Sequence, residues 1–590
     1  MDRLRHLLLL GLLLLNGLPL LAQQNPPLDN DNNIIDETVF IHTNATTFVS
    51  GETLYYKIYC LKASDKTLST TSKVAYVELI DNNNNSLLRT KLFLDNSTGQ
   101  GDYFVPTTFK TGNYKLIGYT SWMLNQSVSQ LFQMDITIIN PFEVNSAEQK
   151  NPIISDTLHL KSELKIAFKD SKNVASTKLQ DLKLEINKNI FSNREKVSIK
   201  INPLTSEAVK GSYSLSVRKT EDLPTTEQLT ANQFVKNTHN VSATFKNTEG
   251  QLVLPELRGE MISGKITSKN NSNQIQNIAV ALSIPGKSFA FQIVKTNSDG
   301  AFIFNLNKAY YSPNITIQIV AENRRDYLLT VDSPSEIDYS KIMTQPSFTL
   351  TSDLRENILN RSIASQIENA YSLKKADTIV QTVTDKTSLL LTTKEYILDD
   401  FTRFKTLKET ATEIATDINI KQEGQDYFLH VLNPDIYPQL QDPALVLIDG
   451  LLLQNANELI NYKMKTIYKV NTKSGQYYYG PKIYNGVITF TTFNNDFISA
   501  QTGDDIIKPA IMRPLLKKEY YKIDHADILK NNRIPDFRNQ LFWNPRITLE
   551  NTEDSIEFYT SDVSGTFEIR LEGFSAKGTP VSIKEIIEVK

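Results

Sequence analysis

The sequence predicts a mostly β protein that consists of tandem β-sandwich domains and one small α+β domain near the C-terminus. Over most of the chain, apolar and polar residues alternate with a period of two, and Asn, Gly, Pro and Ser break the runs, as in short antiparallel strands. A helical period is clear in only two segments. The length of 590 residues is sufficient for about four domains.

The N-terminal residues predict export. Basic residues precede the apolar run LLLLGLLLLNGLPLL, and Ala22 precedes a cleavage site, so residues 1–22 are expected to be a signal peptide. The alternative is a retained membrane anchor, but Asn16 and Pro19 interrupt the run, which is short for a spanning helix. No cysteine lies nearby to carry a lipid. We therefore expect an exported chain without a membrane span.

Composition and cysteine content disfavour two further classes of function, nucleic-acid binding and proteinase trapping through a thioester. The formal net charge is −3 at pH 7, and no tract is rich in lysine or arginine, so nucleic acid is not an expected partner. The single cysteine, Cys60, cannot form an internal disulfide. A macroglobulin thioester needs a glutamine shortly after its cysteine, whereas Leu61, Lys62 and Ala63 follow here. Proteinase trapping through a thioester is therefore not expected.

The motifs that carry common catalytic chemistry are missing from the sequence. The six histidines form neither HxxE nor HExxH, and the chain has no GxSxG, GxxxxGK[ST] or GxGxxG. Asp524, His525 and Asp527 form a polar cluster, for which a solvated loop is the simpler interpretation. We therefore expect no enzymatic activity, no metal site and no cofactor.

Residues 36–142 predict the first sandwich, because alternating strands are separated by turns such as Ser50-Gly51-Glu52. The segments Ser50–Leu54 and Tyr119–Met123 resemble the macroglobulin-type sandwich of alpha-2-macroglobulins and of secreted multidomain proteins of the Bacteroidota. The resemblance implies a macroglobulin/Ig-like β-sandwich.

Further sandwiches follow the same pattern. Residues 143–179 are expected to be a linker, and 180–250 a second macroglobulin-like sandwich. Residues 256–335, with the turn TNSDGAFIF, resemble the carboxypeptidase-regulatory-like sandwich, which implies an accessory domain without peptidase chemistry. Residues 520–590 resemble the C-terminal sandwich that follows plug-like modules in Bacteroidota proteins.

Two segments have helical periodicity. In residues 353–371, Leu354, Ile358 and Ile363 begin an apolar face, which predicts a helical connector. A second helix is predicted from Phe404 to Ile418. We expect both apolar faces to belong to the core.

Residues 380–510 resemble the plug domain of TonB-dependent outer-membrane receptors. The motif residues that carry the resemblance are Asp449, Gly450, Gly480, Asn485 and Gly486. A receptor plug sits inside a barrel of about 22 strands of roughly 10 residues each, whereas residues 511–590 supply at most about eight such strands. The resemblance therefore implies docking on a barrel supplied by another chain.

The predicted partner-binding residues are Lys473, Tyr477, Tyr478 and Tyr479. Tyrosine is enriched at protein interfaces, so three adjacent tyrosines are a candidate recognition patch. The alternative is a strand with alternate burial, in which only the middle ring is exposed.

Together these observations predict a non-enzymatic scaffold or docking subunit at the outer membrane, on its periplasmic face or at the cell surface. Its expected partner is a separate β-barrel complex, such as a secretion translocon, a nutrient importer or the barrel-assembly machinery. One alternative is a thioester-free macroglobulin-like proteinase inhibitor with a bait segment over Asn145–Lys178. Another is a ligand-binding accessory of a transporter, with Trp122 and the tyrosines 477–479 as its aromatic platform.

Overall fold

The computed structural model describes residues 36–143, 181–220, 223, 225–238, 252–270, 273–310, 312–342, 350–380, 394–432, 442–526, 534–549 and 555–590. These residues are mostly β, as predicted, and form β-sandwiches and a small α+β module. The predicted signal peptide lies outside the described residues, as does the predicted linker after its first residue. Within the described part of the chain, no helix is long and apolar enough to cross a membrane.

The first sandwich corresponds to the predicted domain at 36–142. Its smaller sheet has the strand order β1 (Glu37–Thr43), β3 (Thr53–Lys62) and β6 (Thr98–Phe104). Its larger sheet has the order β2 (Thr47–Val49), β8 (Phe132–Ile139), β7 (Gly112–Tyr119), β4 (Val74–Ile80), β5 (Ser86–Phe93) and β28 (Pro514–Leu515). The last of these strands comes from a distant part of the chain.

The second sandwich is built from two distant segments, and this corrects the prediction of separate domains at 180–250 and 520–590. One sheet has the order β10 (Ile190–Phe191), β33 (Pro580–Val589), β32 (Gly565–Phe574), β12 (Ser212–Lys219) and β30 (Gln540–Ile547). The other has the order β31 (Ser555–Tyr559), β11 (Lys196–Pro203) and β9 (Leu182–Ile186). Because β12 lies between β32 and β30, neither segment forms a complete sheet alone.

The third sandwich lies within the predicted range 256–335 and gains one strand from beyond it. One sheet has the order β16 (Ala301–Leu306), β13 (Glu260–Ser268) and β18 (Tyr327–Val331). The other has the order β15 (Ala290–Lys295), β14 (Ala279–Ile284), β17 (Thr316–Ile319) and β27 (Ile506–Ile507). The spacing GxxxxGK occurs once, at Gly259–Lys265, but Ile266 replaces the required Ser or Thr. Since strand pairs on both sides hold β13, this segment is not a phosphate-binding loop.

In the part of the chain that the structure describes, three helices connect or cover the sandwiches: α1 (Ser206–Val209), α2 (Ala231–Thr238) and α3 (Arg355–Ala370). The last is the predicted helix at 353–371. Its apolar face differs from the prediction, because Ile363 is exposed while Arg361 and Ser365 are buried. Short 3-10 helices occupy Trp122–Asn125, Val128–Gln130, Arg324–Asp326, Tyr339–Lys341, Ser352–Leu354, Ser372–Lys374, Leu398–Asp400 and Met464–Thr466.

The α+β module contains a five-stranded mixed sheet. Its order is β20 (Lys394–Ile397), β25 (Ile467–Tyr479), β26 (Lys482–Thr492), β23 (Leu445–Ile448) and β24 (Leu451–Leu453). The hairpin of β21 (Ile418–Glu423) and β22 (Asp426–Val431) and the helices α4 (Leu407–Glu413) and α5 (Asn457–Ile460) complete the module.

Helix α4 is shorter than the predicted helix from Phe404 to Ile418. Thr406 caps its N-terminus in a capping box with Glu409, so the helix cannot begin at Phe404. It ends at Glu413, and Ile418 already pairs with Val431 in a strand. The apolar residues after Glu413 therefore belong to a turn and a strand.

Residues 505–526, which we call the return segment, connect all the sandwiches. They add β27 to the third sandwich and β28 to the first, and β29 (Lys518–Glu519) pairs with β19 (Thr378–Ile379). The chain then supplies β30 to the second sandwich. Residues Glu37–Lys590 consequently form one compact unit.

Candidate docking surface

The three adjacent tyrosines lie at the end of the hairpin formed by β25 and β26. Tyr477 lies opposite Tyr484, and Tyr478 lies opposite Ile483. Because side chains alternate along a strand, Tyr477 and Tyr479 are half-buried, whereas Tyr478 is 66% exposed. Three exposed rings are therefore not observed, and the hairpin matches the alternative in which only the middle ring is exposed.

The half-buried face of the hairpin packs on the third sandwich. The rings of Tyr479 and Phe291 stack with their centroids 4.7 Å apart, and the Tyr479 hydroxyl donates to the Phe291 carbonyl. Burial raises the pKa of Tyr479. Phe289, Ile293 and Tyr477 belong to the same apolar cluster. This packing holds the hairpin against a second domain.

The opposite face of the hairpin exposes an apolar pair to solvent. Ile483 is 53% exposed and lies directly across from Tyr478, whose hydroxyl donates to Gln476 Oε1 at 3.3 Å. We call Gln476, Tyr478 and Ile483 the hairpin patch. Lys473 does not extend this patch, since its ammonium lies 5.3 Å from the centroid of the half-buried Tyr477 ring.

Asp449 and Gly450 form the tight turn between β23 and β24. Both have positive φ, of 50° and 89°, as a two-residue hairpin turn requires. The buried Asp449 carboxylate accepts hydrogen bonds from the backbone N–H and the hydroxyl of Thr492, at 2.8 and 2.6 Å. A Cβ at position 450 would lie 2.3 Å from the Phe289 side chain. The turn is thus a contact with the third sandwich.

The other residues of the plug-like motif also support the backbone. Gly480, with φ of 55°, approaches the third sandwich so closely that a Cβ would lie 2.4 Å from the Ile293 carbonyl oxygen. Gly486 packs on Val431 in the same way. Asn485 pairs with Gln476 across the hairpin. These residues shape the module and are not brought together as a ligand site.

A second exposed aromatic surface was missed by the sequence analysis. Phe493 is 51% exposed, and its ring centroid lies 5.6 Å from that of Tyr468 and 5.2 Å from the Arg403 guanidinium carbon. We call these three residues the base patch, because Tyr468 lies at the opposite end of β25 from Tyr478. Residues from three separate segments form it, so no local motif marks it.

The described histidines are placed in packed surroundings. His525 was expected in a solvated loop, but its side chain is buried and lies 2.9 Å from Asp536. Burial opposes ionisation of Asp536, yet Arg538 and His525 lower its pKa overall. Asp527 lies outside the described residues. Among the residues that the structure describes, no three His, Cys, Asp or Glu side chains are grouped to hold a metal ion.

Comparisons with known proteins give remote structural similarity only. No protein-family model matches the sequence, and no curated protein matches it. Among solved structures, the Escherichia coli alpha-2-macroglobulin activated by porcine elastase is 9% identical, with 94% of this chain and 44% of that chain covered and a TM-score of 0.23. The native conformation of E. coli alpha-2-macroglobulin is 10% identical, with 94% of this chain and 40% of that chain covered and a TM-score of 0.23. Salmonella alpha-2-macroglobulin reacted with methylamine is 9% identical, with 94% of this chain and 39% of that chain covered and a TM-score of 0.21.

This chain thus spans less than half the length of these three proteins. At such identities and TM-scores, the similarity assigns neither a family nor a function to the chain.

Proposed function

We propose that this chain is a non-enzymatic scaffold that binds a partner protein through the hairpin patch. The observation that carries the proposal is the two-sided hairpin. One face is fixed on the third sandwich through Tyr477 and Tyr479, while the other presents Tyr478 and Ile483 to solvent. Tyrosine is enriched among residues that dominate binding energy at protein interfaces.

The support beneath the patch favours tight binding. A partner gains affinity when the surface that it meets is already ordered, because less conformational entropy is lost on association. The stacked rings of Tyr479 and Phe291 and the close approach of Gly480 to Ile293 restrict the hairpin in this way. An exposed tyrosine also loses little side-chain entropy, since it has only two χ angles.

The proposed partner is a separate β-barrel protein or complex at the outer membrane. This part rests on the resemblance of residues 380–510 to receptor plugs and on the predicted signal peptide. The chain would be exported and would associate with the membrane through protein contacts. Candidate partner complexes are a secretion translocon, a nutrient importer and the barrel-assembly machinery.

A second candidate function, that of a ligand-binding accessory of a transporter, is favoured by the base patch. Two neighbouring exposed rings beside a guanidinium resemble the surroundings in which aromatic faces and cations bind ligands. Trp122, which was expected to belong to such a platform, is half-buried in the first sandwich. The proposed bait segment of a proteinase inhibitor, Asn145–Lys178, lies outside the described residues.

The variant Tyr478→Ala is expected to weaken partner binding by roughly 30-fold. Truncating an interface hot spot commonly costs about 2 kcal/mol or more. Stability should change by only about 0.5 kcal/mol or less, because the ring is exposed. The tagged chain would first be purified from detergent-solubilised outer membrane to identify the co-purifying barrel, and affinity for the isolated barrel would then be measured.

The matched control is Tyr468→Ala, at the other end of the same strand. The proposal expects wild-type affinity from this variant. Loss of binding in Tyr468→Ala alone would assign docking to the base patch. Unchanged binding in both variants, or failure of any barrel to co-purify with the wild type, would reject the hairpin patch as the docking site.

The purified protein is expected to hydrolyse neither peptides nor esters and to contain no stoichiometric zinc. The basis is the lack of nucleophile and zinc motifs in the sequence. Assays with casein and p-nitrophenyl acetate, together with elemental analysis after dialysis, measure both properties. One zinc per chain, or hydrolysis that survives further purification, would overturn the non-enzymatic assignment.

A further inference from the structure

A large groove lies where the three sandwiches, the α+β module and the return segment meet. Its volume is about 1810 Å³, which exceeds the roughly 300–1,000 Å³ of a typical small-molecule pocket. Of the described residues that line it, eight are Lys or Arg and three are Asp or Glu. The lining is therefore basic, although the whole chain has a formal net charge of −3.

Part of this positive charge is neutralised by ion pairs. Lys517 pairs with Asp95 at 2.6 Å, and Arg546 lies 3.5 Å from Glu519. Lys518 pairs with a carboxylate beside the groove, Asp102, at 2.9 Å. The two lysine pairs hold the return segment against the first sandwich, and the arginine pair holds it against the second. Two of the three lining carboxylates, Asp95 and Glu519, are thereby paired.

Three of the other lining lysines lie on different walls of the groove. Lys210 belongs to the second sandwich, Lys287 to the third and Lys522 to the return segment, and all three are exposed. Among the described residues, none of the three has a carboxylate partner. The ammonium groups of Lys210 and Lys287 are consequently available to an anionic ligand, whereas that of Lys522 lies 5.4 Å from the centroid of the Phe542 ring.

The buried wall of the groove contains another lysine. Lys57 is buried, and its ammonium donates to Ser212 Oγ at 2.8 Å and to the Tyr213 carbonyl at 3.0 Å. Burial lowers the pKa of Lys57, and the nearby charges of Arg546 and Lys517 lower it further. Burial thus disfavours a charge on Lys57, and the positive charge offered to a ligand comes from the exposed lysines.

The groove is also lined by strand edges and by apolar side chains. β6 and β30 both contribute to the lining, and among the described strands each is the last of its sheet. Such an edge offers backbone donors and acceptors to an extended chain. Ile379, Ile498 and Leu515 line the groove with exposed side chains.

We propose that the groove binds an extended, acidic segment of a polypeptide. Carboxylates spaced along the segment would meet lysines on separate walls, and its backbone would pair with a strand edge. Alternate apolar side chains would meet the aliphatic residues. A nucleic acid fits less well, because the indole of Trp543 is buried and the rings of Tyr520 and Tyr521, which also line the groove, are half-buried.

The test uses the full chain and a fluorescein-labelled peptide of six Glu-Thr repeats, measured by fluorescence anisotropy. The wild type is expected to bind this peptide, to lose affinity as salt rises, and to bind the matching Gln-Thr peptide at least tenfold more weakly. The double variant Lys210→Glu/Lys287→Glu should bind the acidic peptide at least tenfold more weakly than the wild type. Thermal melting should be unchanged, because both lysines are exposed.

The matched control is Lys200→Glu/Lys265→Glu, two exposed lysines of the same sandwiches outside the groove. Its net charge change equals that of the groove variant, so it controls for long-range charge effects. Because both lysines lie outside the groove, its affinity for the acidic peptide should stay within about twofold of the wild type. Equal losses in both double variants would show a non-specific charge effect and overturn the proposal. So would no binding by the wild type, equal binding of the neutral peptide, or stronger binding of an oligonucleotide or polyphosphate of equal charge.

Discussion

Replacing Glu52 with Ala is expected to lower the free energy of unfolding by about 3 to 5 kcal/mol. The buried Glu52 carboxylate accepts from Arg361 Nε at 2.6 Å and Arg361 Nη2 at 2.7 Å, and from Arg218 Nη2 at 3.2 Å. Burial opposes ionisation of Glu52, but the two arginines outweigh it and lower its pKa. Without this carboxylate, two buried guanidinium groups would lack their counter-charge.

The ion pairs of Glu52 connect different parts of the fold, so the substitution weakens contacts between domains. Glu52 belongs to the first sandwich, Arg218 to the second, and Arg361 to α3. Asn369 of the same helix donates to the Gly51 carbonyl at 2.8 Å. A variant without the carboxylate should therefore release α3 as well as lower the urea midpoint.

Urea denaturation followed by tryptophan fluorescence and by limited proteolysis of α3 would measure both effects. The control is Glu185→Ala, which removes an exposed ion pair with Lys183 and should leave the midpoint unchanged. A loss below about 1 kcal/mol for Glu52→Ala would mean that water or another group replaces the carboxylate.

The ion pair between Glu52 and Arg361 also shows what the sequence could not predict about α3. Helical spacing predicted the helix itself, because the period of the apolar residues is a local property. It did not predict which face is buried. Arg361 is buried because Glu52, more than 300 residues earlier, supplies its counter-charge, and Ile363 on another face remains exposed.

The strand pairing of the second sandwich could not be predicted from the sequence either. Alternation predicted strands in residues 180–250, and a resemblance predicted those in residues 520–590. Alternation fixes only which side chains share a face. It carries no information about the neighbouring strand. Ser212 pairs with Phe574 and Lys219 with Phe567, so residues more than 300 positions apart form the central pair of the sheet. Each segment consequently looked like a separate domain.

The candidate docking surface could be predicted in part. Period-two alternation gave the exposed middle ring of Tyr478, and this follows from strand geometry alone. The anchoring of Tyr479 depends on Phe291 in another domain, and the base patch joins Arg403, Tyr468 and Phe493 from separate segments. Non-local contacts of this kind leave no signature in a single sequence.

Glu572 is expected to make stability fall as pH rises from about 4.5 to about 7. Its buried carboxyl lies on β32, and Oε2 accepts from the Ala231 N–H at 2.9 Å and from the Ser582 hydroxyl at 2.7 Å. Burial raises the pKa of Glu572 to about 7, although Ala231, Ser582 and Arg570 oppose the increase. The folded chain therefore keeps a proton that the unfolded chain loses near pH 4.5.

The sign follows from proton linkage. Between about pH 4.5 and 7 the unfolded state binds fewer protons than the folded state at this residue, so each increase in pH favours unfolding. Above about pH 7 the carboxyl is ionised in both states, and the penalty stays constant. A shift from about 4.5 to about 7 corresponds to a loss on the order of 3 kcal/mol.

The variant Glu572→Gln should remove this contribution. Its amide oxygen can accept both hydrogen bonds now made to Oε2, and it carries no charge at any pH. We expect Glu572→Gln to be more stable than the wild type at pH 8, and the difference to vanish towards pH 4.5. Urea denaturation at pH 4.5, 6, 7 and 8 would measure it.

Glu568→Gln provides a control of opposite sign. Burial opposes ionisation of Glu568, but Arg570 and Lys584 outweigh it and lower its pKa, so the ionised form of this carboxyl stabilises the folded state. Its replacement should therefore reduce stability at pH 8, whereas Glu572→Gln increases it. A difference between Glu572→Gln and the wild type that is constant from pH 4.5 to 8 would show that the Glu572 carboxyl does not titrate between these values, and its effect would then come from packing alone.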